Sequence, residues 1–198
     1  MPRNFLSVAM YTTAIALSGA APAFAGPPSD EREVLDLLGG EEFKEDRQKL
    51  VAWGAEAFPI YLGILEHKEC TAMEKSRIFS VLRSVKADRS RFLEAVVSAL
   101  AHENWSLRSS AVQLVAQIGT AKDASPVVAL LSDGVEPAYQ SNCHFAAKTL
   151  AAIGGPREVI AMDAWLLGVS YADDKPLRTH VKKCRDELAA RLAKEPKK

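Results

Sequence analysis

The amino-acid sequence predicts an all-α protein, built as a stack of helical hairpins with a capping helix at each end. Three observations lead to this class. A unit of 32 to 35 residues recurs four times, apolar residues in each unit follow the 3.6-residue period of an amphipathic helix, and strand signals are missing. No clean alternation of apolar and polar residues occurs, and no Asn-Gly or Asp-Gly hairpin is indicated. Because a single hairpin cannot bury its own apolar face, the units are expected to stack.

Residues 1–25 are predicted to be a signal peptide. A weakly basic start leads into an uncharged apolar run that closes on an Ala-x-Ala pattern at residues 23–25, which a signal peptidase recognises. Gly19 and Pro22 shorten the apolar run below the ~20 residues that span a bilayer, which argues against a permanent anchor. The mature chain is therefore expected to begin at Gly26, to be periplasmic or secreted, and not to insert into a membrane.

Charge on the mature chain is balanced overall but unevenly spread. Removal of Arg3 with the signal peptide leaves 24 basic residues against 25 acidic ones, which argues against a nucleic-acid partner. Residues 26–75 hold 6 basic and 12 acidic side chains, whereas residues 175–198 hold 9 basic and 3 acidic. Two interpretations stay open: a solvated surface with a basic tail, or ends that attract a charged partner or each other head to tail.

The mature chain is expected to open with a capping helix in residues 26–45 and to continue with repeats in residues 46–170. The capping helix itself is predicted at residues 29–38, which read SDEREVLDLL and give the polar outer face that the end of a stack needs. The repeat is clearest in its two central copies, where a set of four residues recurs 35 residues later: Ala111, Val115, Ile118 and Gly119, then Ala146, Leu150, Ile153 and Gly154. Two earlier copies keep the apolar positions of the first helix, at Ile78, Val81, Leu82 and Val85, and at Leu50 and Trp53.

Glycine, proline and capping residues predict where the helices of each hairpin begin and end. Three glycines are expected to end first helices in the left-handed conformation, namely Gly54, Gly119 and Gly154. Three prolines are expected to open second helices, where the first-turn N–H groups have no partner: Pro59, Pro126 and Pro156. Thr71 and Glu74 have the spacing of a capping box, and Asn104 is a suitable N-cap for a helix that starts at Trp105.

The central unit closely resembles the HEAT-like repeat of phycobilin lyases and related scaffolds. The resemblance lies in Leu107-Arg108, in Ala111, in the pair Ile118-Gly119 and in a second helix led by proline. It extends over roughly residues 46–168, although the family arginine appears only as Arg108, with lysine or cysteine at the equivalent positions Lys75 and Cys143. The resemblance implies a right-handed α-solenoid of about four HEAT-like hairpins. It does not imply lyase activity, since many unrelated binding proteins use this repeat.

Residues 171–198 are predicted to form a C-terminal capping helix and a basic tail. Within the helix, expected at residues 176–194, one stripe is apolar and the remaining positions are mostly charged. The apolar stripe consists of Leu177, Val181, Cys184, Leu188 and Leu192.

Sequence motifs for catalysis are missing, so the chain is expected not to be an enzyme. No nucleophile elbow, phosphate-binding loop, dinucleotide fingerprint or paired-cysteine motif occurs. His102-Glu103 begins like a zinc-protease motif, but the second histidine position holds Ser106.

The cysteines and their neighbouring histidines offer one alternative chemistry. Cys143, His180 and Cys184 are expected to meet where the last helix packs on the last repeat, and thiolate and imidazole are suitable ligands for zinc or copper. The same cysteines belong to apolar stripes, so core positions or a Cys143–Cys184 disulfide are equally open. Cys70 lies in a loop two repeats away and is expected to be unpaired.

Taken together, the sequence predicts an exported, non-enzymatic HEAT-repeat scaffold that binds a protein or peptide and needs no cofactor. Partner contacts are expected on the second helices, at residues such as Tyr61 and Glu66. The alternative is a periplasmic metal-binding or redox-linked accessory protein that uses Cys143, His180 and Cys184.

Overall fold

The computed structural model of the protein describes residues 28, 30–67, 69–135, 139–168 and 175–195. Over these ranges the chain is all-helical without a β-strand, which confirms the predicted all-α class. The predicted signal peptide lies outside the described residues. The α-helices are α1 (Glu31–Gly39), α2 (Phe43–Trp53), α3 (Phe58–Glu66), α4 (Ala72–Leu82), α5 (Leu93–Ala99), α6 (Trp105–Ile118), α7 (Ser125–Val128), α8 (Gln140–Ile153), α9 (Pro156–Leu167) and α10 (Lys175–Lys194). Short 3-10 turns lie at Gly54–Ala57, Ser90–Phe92, Ala121–Asp123 and Ala129–Val135.

The helix starts agree with the capping signals of the sequence. At α4, the Thr71 amide donates to Glu74 Oε2 over 2.7 Å, and the Glu74 amide donates to Thr71 Oγ1 over 3.2 Å. At α6, Asn104 Oδ1 accepts from the amides of Ser106 and Leu107. Prolines stand in the first turn of α3, α7 and α9 as predicted. Each capping oxygen satisfies amides that have no partner within the helix.

The glycine positions were predicted correctly, but the conformation predicted for two of them was wrong. Gly119 and Gly154 follow α6 and α8 with φ of −79° and −63°, outside the left-handed region. Glycine is required at Gly154 because a side chain would clash with its neighbours. A Cβ there would lie 2.5 Å from the Leu150 carbonyl oxygen and 3.2 Å from Leu188 Cδ2. Of the glycines in the described residues, Gly54 has a positive φ, of 60°.

Alternate helices pack on one another in series, α2 on α4, α4 on α6, α6 on α8 and α8 on α10. Hydrogen bonds between them join residues at nearly constant separations along the chain. Arg47 bonds to Ser80, 33 residues on, Ser76 bonds to Ser110, 34 residues on, and Thr149 bonds back to the Val112 carbonyl over 37 residues. The apolar stripes of these helices meet in one continuous core.

The arginine of the central unit organises a largely buried polar network. Arg108 Nε donates to Asp133 Oδ2 over 2.9 Å, and its Nη1 donates to the carbonyls of His102 and Glu103. Asn142 Nδ2 donates to the same Asp133 oxygen over 2.8 Å. The Asp133 carboxylate, in the turn Ala129–Val135, therefore joins this turn to α6 and α8.

Arginines elsewhere in the chain bind the carboxyl ends of neighbouring helices. Arg77 of α4 donates to the Gly40 carbonyl just beyond α1 over 3.0 Å, and Arg191 of α10 donates to the Ala151 carbonyl of α8 over 3.3 Å. The carboxyl end of a helix carries partial negative charge and unpaired carbonyls, so an arginine from the next element stabilises it.

The first and last described helices, α1 and α10, lie close to the bounds predicted for the two capping helices. The Asp30 side chain caps α1, which buries Val34 and Leu38. Helix α10 buries Leu177, Val181, Cys184 and Leu188, the predicted inner stripe, and Leu192 packs partly against the core. Among the described helices, none combines the length and the apolar composition needed to cross a bilayer.

Candidate partner-binding surface

Helix α9 carries an exposed apolar ridge on its outer side. Ile160 is 69 % exposed and Leu167 is 74 % exposed, and the exposed residue Ala164 lies between them. The spacing of four and three residues places all three side chains on one helix face. We call Ile160, Ala164 and Leu167 the α9 ridge. An exposed apolar stripe with charged residues beside it is typical of a protein-interaction site.

The inner side of α9 fixes the ridge to the rest of the protein. Met162 is fully buried, and Trp165 Nε1 donates to the Leu131 carbonyl over 2.9 Å. At the start of the helix, Glu158 accepts a hydrogen bond of 2.8 Å from the Gly155 amide. Since the inner side of the helix is anchored, a partner would meet an ordered helix rather than a loop.

Two grooves flank the ridge. On one side, a groove of about 860 Å³ runs between α7 and α9, with an apolar floor and two basic residues, Lys122 and Arg157. On the other side, a groove of about 750 Å³ runs between α9 and α10. We call the second one the α9–α10 groove. Its lining consists of Asp163, Leu166, Leu167, Lys175, Arg178, Thr179, Lys182 and Arg185.

The α9–α10 groove combines positive charge with exposed leucine. Its lining has four basic side chains and one acidic one, so its formal charge is +3. The acid, Asp163, accepts a 2.6 Å hydrogen bond from Arg185 Nε and ties α9 to α10. Ligand clefts typically have volumes of roughly 300 to 1,000 Å³, and both grooves fall within this range.

Of the two residues expected to contact a partner, one is part of the core. Tyr61 is buried, its hydroxyl donates to the Leu50 carbonyl over 2.8 Å, and burial raises the pKa of its hydroxyl. Tyr61 faces α2 because its hydroxyl satisfies a carbonyl in the last turn of that helix. Glu66 is exposed at the end of α3.

Sequence reasoning missed the α9 ridge, although a signal for it was present. Helix α9 reads PREVIAMDAWLL, with apolar residues on every side rather than on one stripe. A helix that packs on one neighbour alone needs a single apolar stripe, so the surplus at Ile160 and Leu167 points to a second contact.

The structure brings two of the three predicted metal or redox residues together. Cys184 Sγ lies 3.5 Å from His180 Nε2, which lies 3.2 Å from the carbonyl oxygen of His144. The ring of His144, next to Cys143 in sequence, contacts that of His180 with centroids 4.4 Å apart and the ring planes tilted by 46°. Burial and nearby Glu187 raise the pKa of the Cys184 thiol. Burial of Cys184 therefore favours the neutral thiol.

Neither a metal site nor a disulfide is formed by these residues in the structure. Over the described ranges, no group of three or more histidine, cysteine, aspartate or glutamate side chains is placed to hold a metal ion. Cys143 and Cys184 are both buried thiols here, so the Cys143–Cys184 disulfide stays a prediction. An intact mass two hydrogens below that of the thiol form would reveal it.

Cys70 lies half-buried in a pocket of about 230 Å³ near the start of α4. Three acidic side chains, of Glu31, Glu69 and Glu74, share this pocket with His67. Burial, followed by the charge of Glu74, raises the pKa of the Cys70 thiol to about 11. A thiol in that state is a weak nucleophile at neutral pH.

Comparisons of the chain with protein-family models, with curated proteins and with solved structures gave no match.

Proposed function

We propose that this chain is an exported, non-enzymatic scaffold that binds a protein partner through the α9 ridge. Its architecture in this proposal is a right-handed α-solenoid of about four HEAT-like hairpins. The repeating separations of 33, 34 and 37 residues between hydrogen-bonded first helices support a stack of similar units. The resemblance of the central unit to the HEAT-like repeat supports the handedness.

The exposure of Ile160 and Leu167 carries the functional part of the proposal. Full burial of an isoleucine or leucine side chain is worth about 1.5–3 kcal/mol, and here both side chains are about 70 % exposed. A partner that covered the α9 ridge would recover most of this free energy. The two flanking grooves add surface on which such a partner could seat side chains.

Site-specific photo-cross-linking tests this function. A photoreactive phenylalanine analogue is placed at Ile160 or at Leu167 in the full chain, and cells that produce each variant are irradiated. A matched control places the analogue at Gln48, an exposed residue of α2. We expect one discrete protein adduct from both ridge positions and none from Gln48. Equal adducts at all three positions, or none at the ridge, would contradict the proposal.

Export is a separate part of the proposal and has its own measurement. The Ala-x-Ala pattern at residues 23–25 supports cleavage after Ala25. We expect the protein recovered from the exported fraction to begin at Gly26 by N-terminal mass spectrometry. A protein that still carries residues 1–25 and is recovered from the cytoplasmic fraction would contradict export.

A further inference from the structure

We propose that the segment of the partner bound beside the α9 ridge is an acidic amphipathic helix, seated in the α9–α10 groove. This inference rests on the proposed function, since it assumes that a protein covers the ridge. It adds the chemistry of the bound segment: carboxylates toward α10 and apolar side chains toward α9.

The carboxylates are required by a row of cations along α10. Lys175, Arg178 and Lys182 follow one another at spacings of three and four residues, so they share one helix face. Arg185 continues this row but is already paired with Asp163 and Asp186. None of the carboxylates in the described ranges lies within ion-pair distance of the other three.

The apolar face of the segment is required by the opposite wall of the groove. Leu167 is shared between the α9 ridge and the groove, and Leu166 lines the groove beside it. A ligand with negative charge alone would leave this wall exposed, and an apolar ligand alone would bury three cations without partners at a large desolvation cost. The groove therefore selects for both properties in one ligand.

A helix fits the dimensions of the row. From residue 175 to residue 182 the cations extend over seven residues, or about 10 Å along α10. A partner helix laid along the groove would present carboxylates at the same three- and four-residue spacings over the same length. Insertion of an amphipathic helix into a groove between two helices is a common mode of peptide recognition.

An anionic membrane surface shares part of this chemistry but fits less well. A lipid surface is broad and flat, whereas the cations and leucines here face each other across a groove that contains the acid Asp163.

Fluorescence anisotropy with designed peptides tests the inference on the full mature chain. The probe is a labelled amphipathic peptide of about five helical turns, with glutamates on one face and leucines on the other. One comparison peptide replaces the glutamates by lysines, and a second replaces the leucines by serines. We expect the probe to bind at least about tenfold more tightly than either comparison peptide, and to weaken as salt is raised.

Charge reversal in the protein locates the binding site. Arg178→Glu and Lys182→Glu together are expected to weaken probe binding by about tenfold or more, whereas Lys44→Glu, at an exposed position of α2, leaves binding unchanged. Circular dichroism verifies that both variants keep the helical fold. Equal affinity for all three peptides, or equal loss in the Lys44→Glu control, would overturn the inference.

Two other outcomes would also overturn it while leaving the proposed function testable. Tighter binding to vesicles with about one-third phosphatidylserine than to the probe would assign the groove to a membrane. Concentration-dependent self-association that Arg178→Glu abolishes would assign it to a second copy of the chain. Because cross-linking at Ile160 needs no acidic ligand, it can succeed where the peptides fail, and the two failures are then distinguishable.

Discussion

Arg185 of α10 donates from Nε to Asp163 Oδ1 of α9 over 2.6 Å, within the groove that these two helices form. About a third of each side chain is exposed, 34 % for Arg185 and 38 % for Asp163. Ion pairs with this much solvent contact contribute at most about 1 kcal/mol to stability. The pair therefore affects the charge of the α9–α10 groove more than it affects the fold.

Replacement of Asp163 is expected to change the charge of the groove with little effect on the stability of the fold. We expect Asp163→Asn to lower the free energy of unfolding by no more than about 1 kcal/mol, because the pair is solvent-exposed. Affinity for the acidic probe peptide is expected to rise by roughly threefold, since a repulsive carboxylate leaves the groove. Urea titration and fluorescence anisotropy measure the two effects. Asp36→Asn, on the exposed side of α1, is the control and should change neither. A fall in probe affinity would argue against selection of acidic ligands by the groove.

The polar network of the central unit is expected to be a stability determinant. Arg108 and Asp133 retain only 14 % and 18 % side-chain exposure, and Asn142 depends on the same carboxylate oxygen. Asp133→Asn leaves a largely buried guanidinium without its counter-charge, so we expect a loss of about 2–3 kcal/mol. The urea midpoint at an unchanged m-value reports this loss.

A surface pair provides the matched control for that substitution. Glu187 lies 3.9 Å from Lys183 with both side chains largely exposed. Glu187→Gln is expected to alter stability by less than about 0.5 kcal/mol. If Asp133→Asn were equally mild, the network would not hold α6 and α8 together.

Because its neighbours lie so close, adding a methyl group at Gly154 is expected to lower the free energy of unfolding. A Cβ there would stand 2.5 Å from a backbone oxygen, which cannot move away without distortion of α8. We expect Gly154→Ala to cost about 2 kcal/mol or more. Gly39→Ala, at the end of α1 where a Cβ meets no atom within 4 Å, should be neutral or slightly stabilising. Thermal unfolding of the two variants is the measurement, and equal midpoints would mean that the neighbours of Gly154 leave room for a methyl group.

The environment of Cys70 predicts a slow thiol. Its pKa, raised to about 11, leaves little thiolate at pH 8, so iodoacetamide should modify native Cys70 far more slowly than the same residue in urea. The folded state favours the protonated thiol, so Cys70 contributes to the free energy of unfolding. This contribution is complete below the unfolded pKa of ~8.5 and is lost as the pH rises toward 11. Peptide mass spectrometry over a pH series gives the modification rate. A rate maximum already reached near pH 8 would show that Cys70 is an activated thiol.

Local signals explain the parts of the fold that the sequence predicted well. Thr71, Asn104 and Pro156 act on amides within their own first turn, so their effect depends little on the rest of the protein. The stripe of α10 was also predictable, because Leu177 and Leu188 recur at helical spacing among charged residues.

Packing between elements explains the parts that were not predicted. Tyrosine is a common residue at binding surfaces, but the Tyr61 hydroxyl donates to a backbone carbonyl of α2 and its ring is buried in the core. His144, the neighbour of Cys143, was not among the predicted ligands, because its contact with His180 depends on how α10 lies against α8. Likewise, which side of α9 stays uncovered is decided by where α7 and α10 end.

The affinity of the partner for ridge variants tests whether α9 is the binding surface. The protein captured by cross-linking is purified, and its binding to the full chain is measured by calorimetry. We expect Ile160→Ser with Leu167→Ser to weaken binding by about 30-fold, or roughly 2 kcal/mol, as for the anchor residues of an interface. Met73→Ser, which alters another exposed apolar residue at the start of α4, should leave affinity unchanged. Unaltered binding by the ridge variant, or an equal loss from Met73→Ser, would contradict the assignment of α9 as the binding surface.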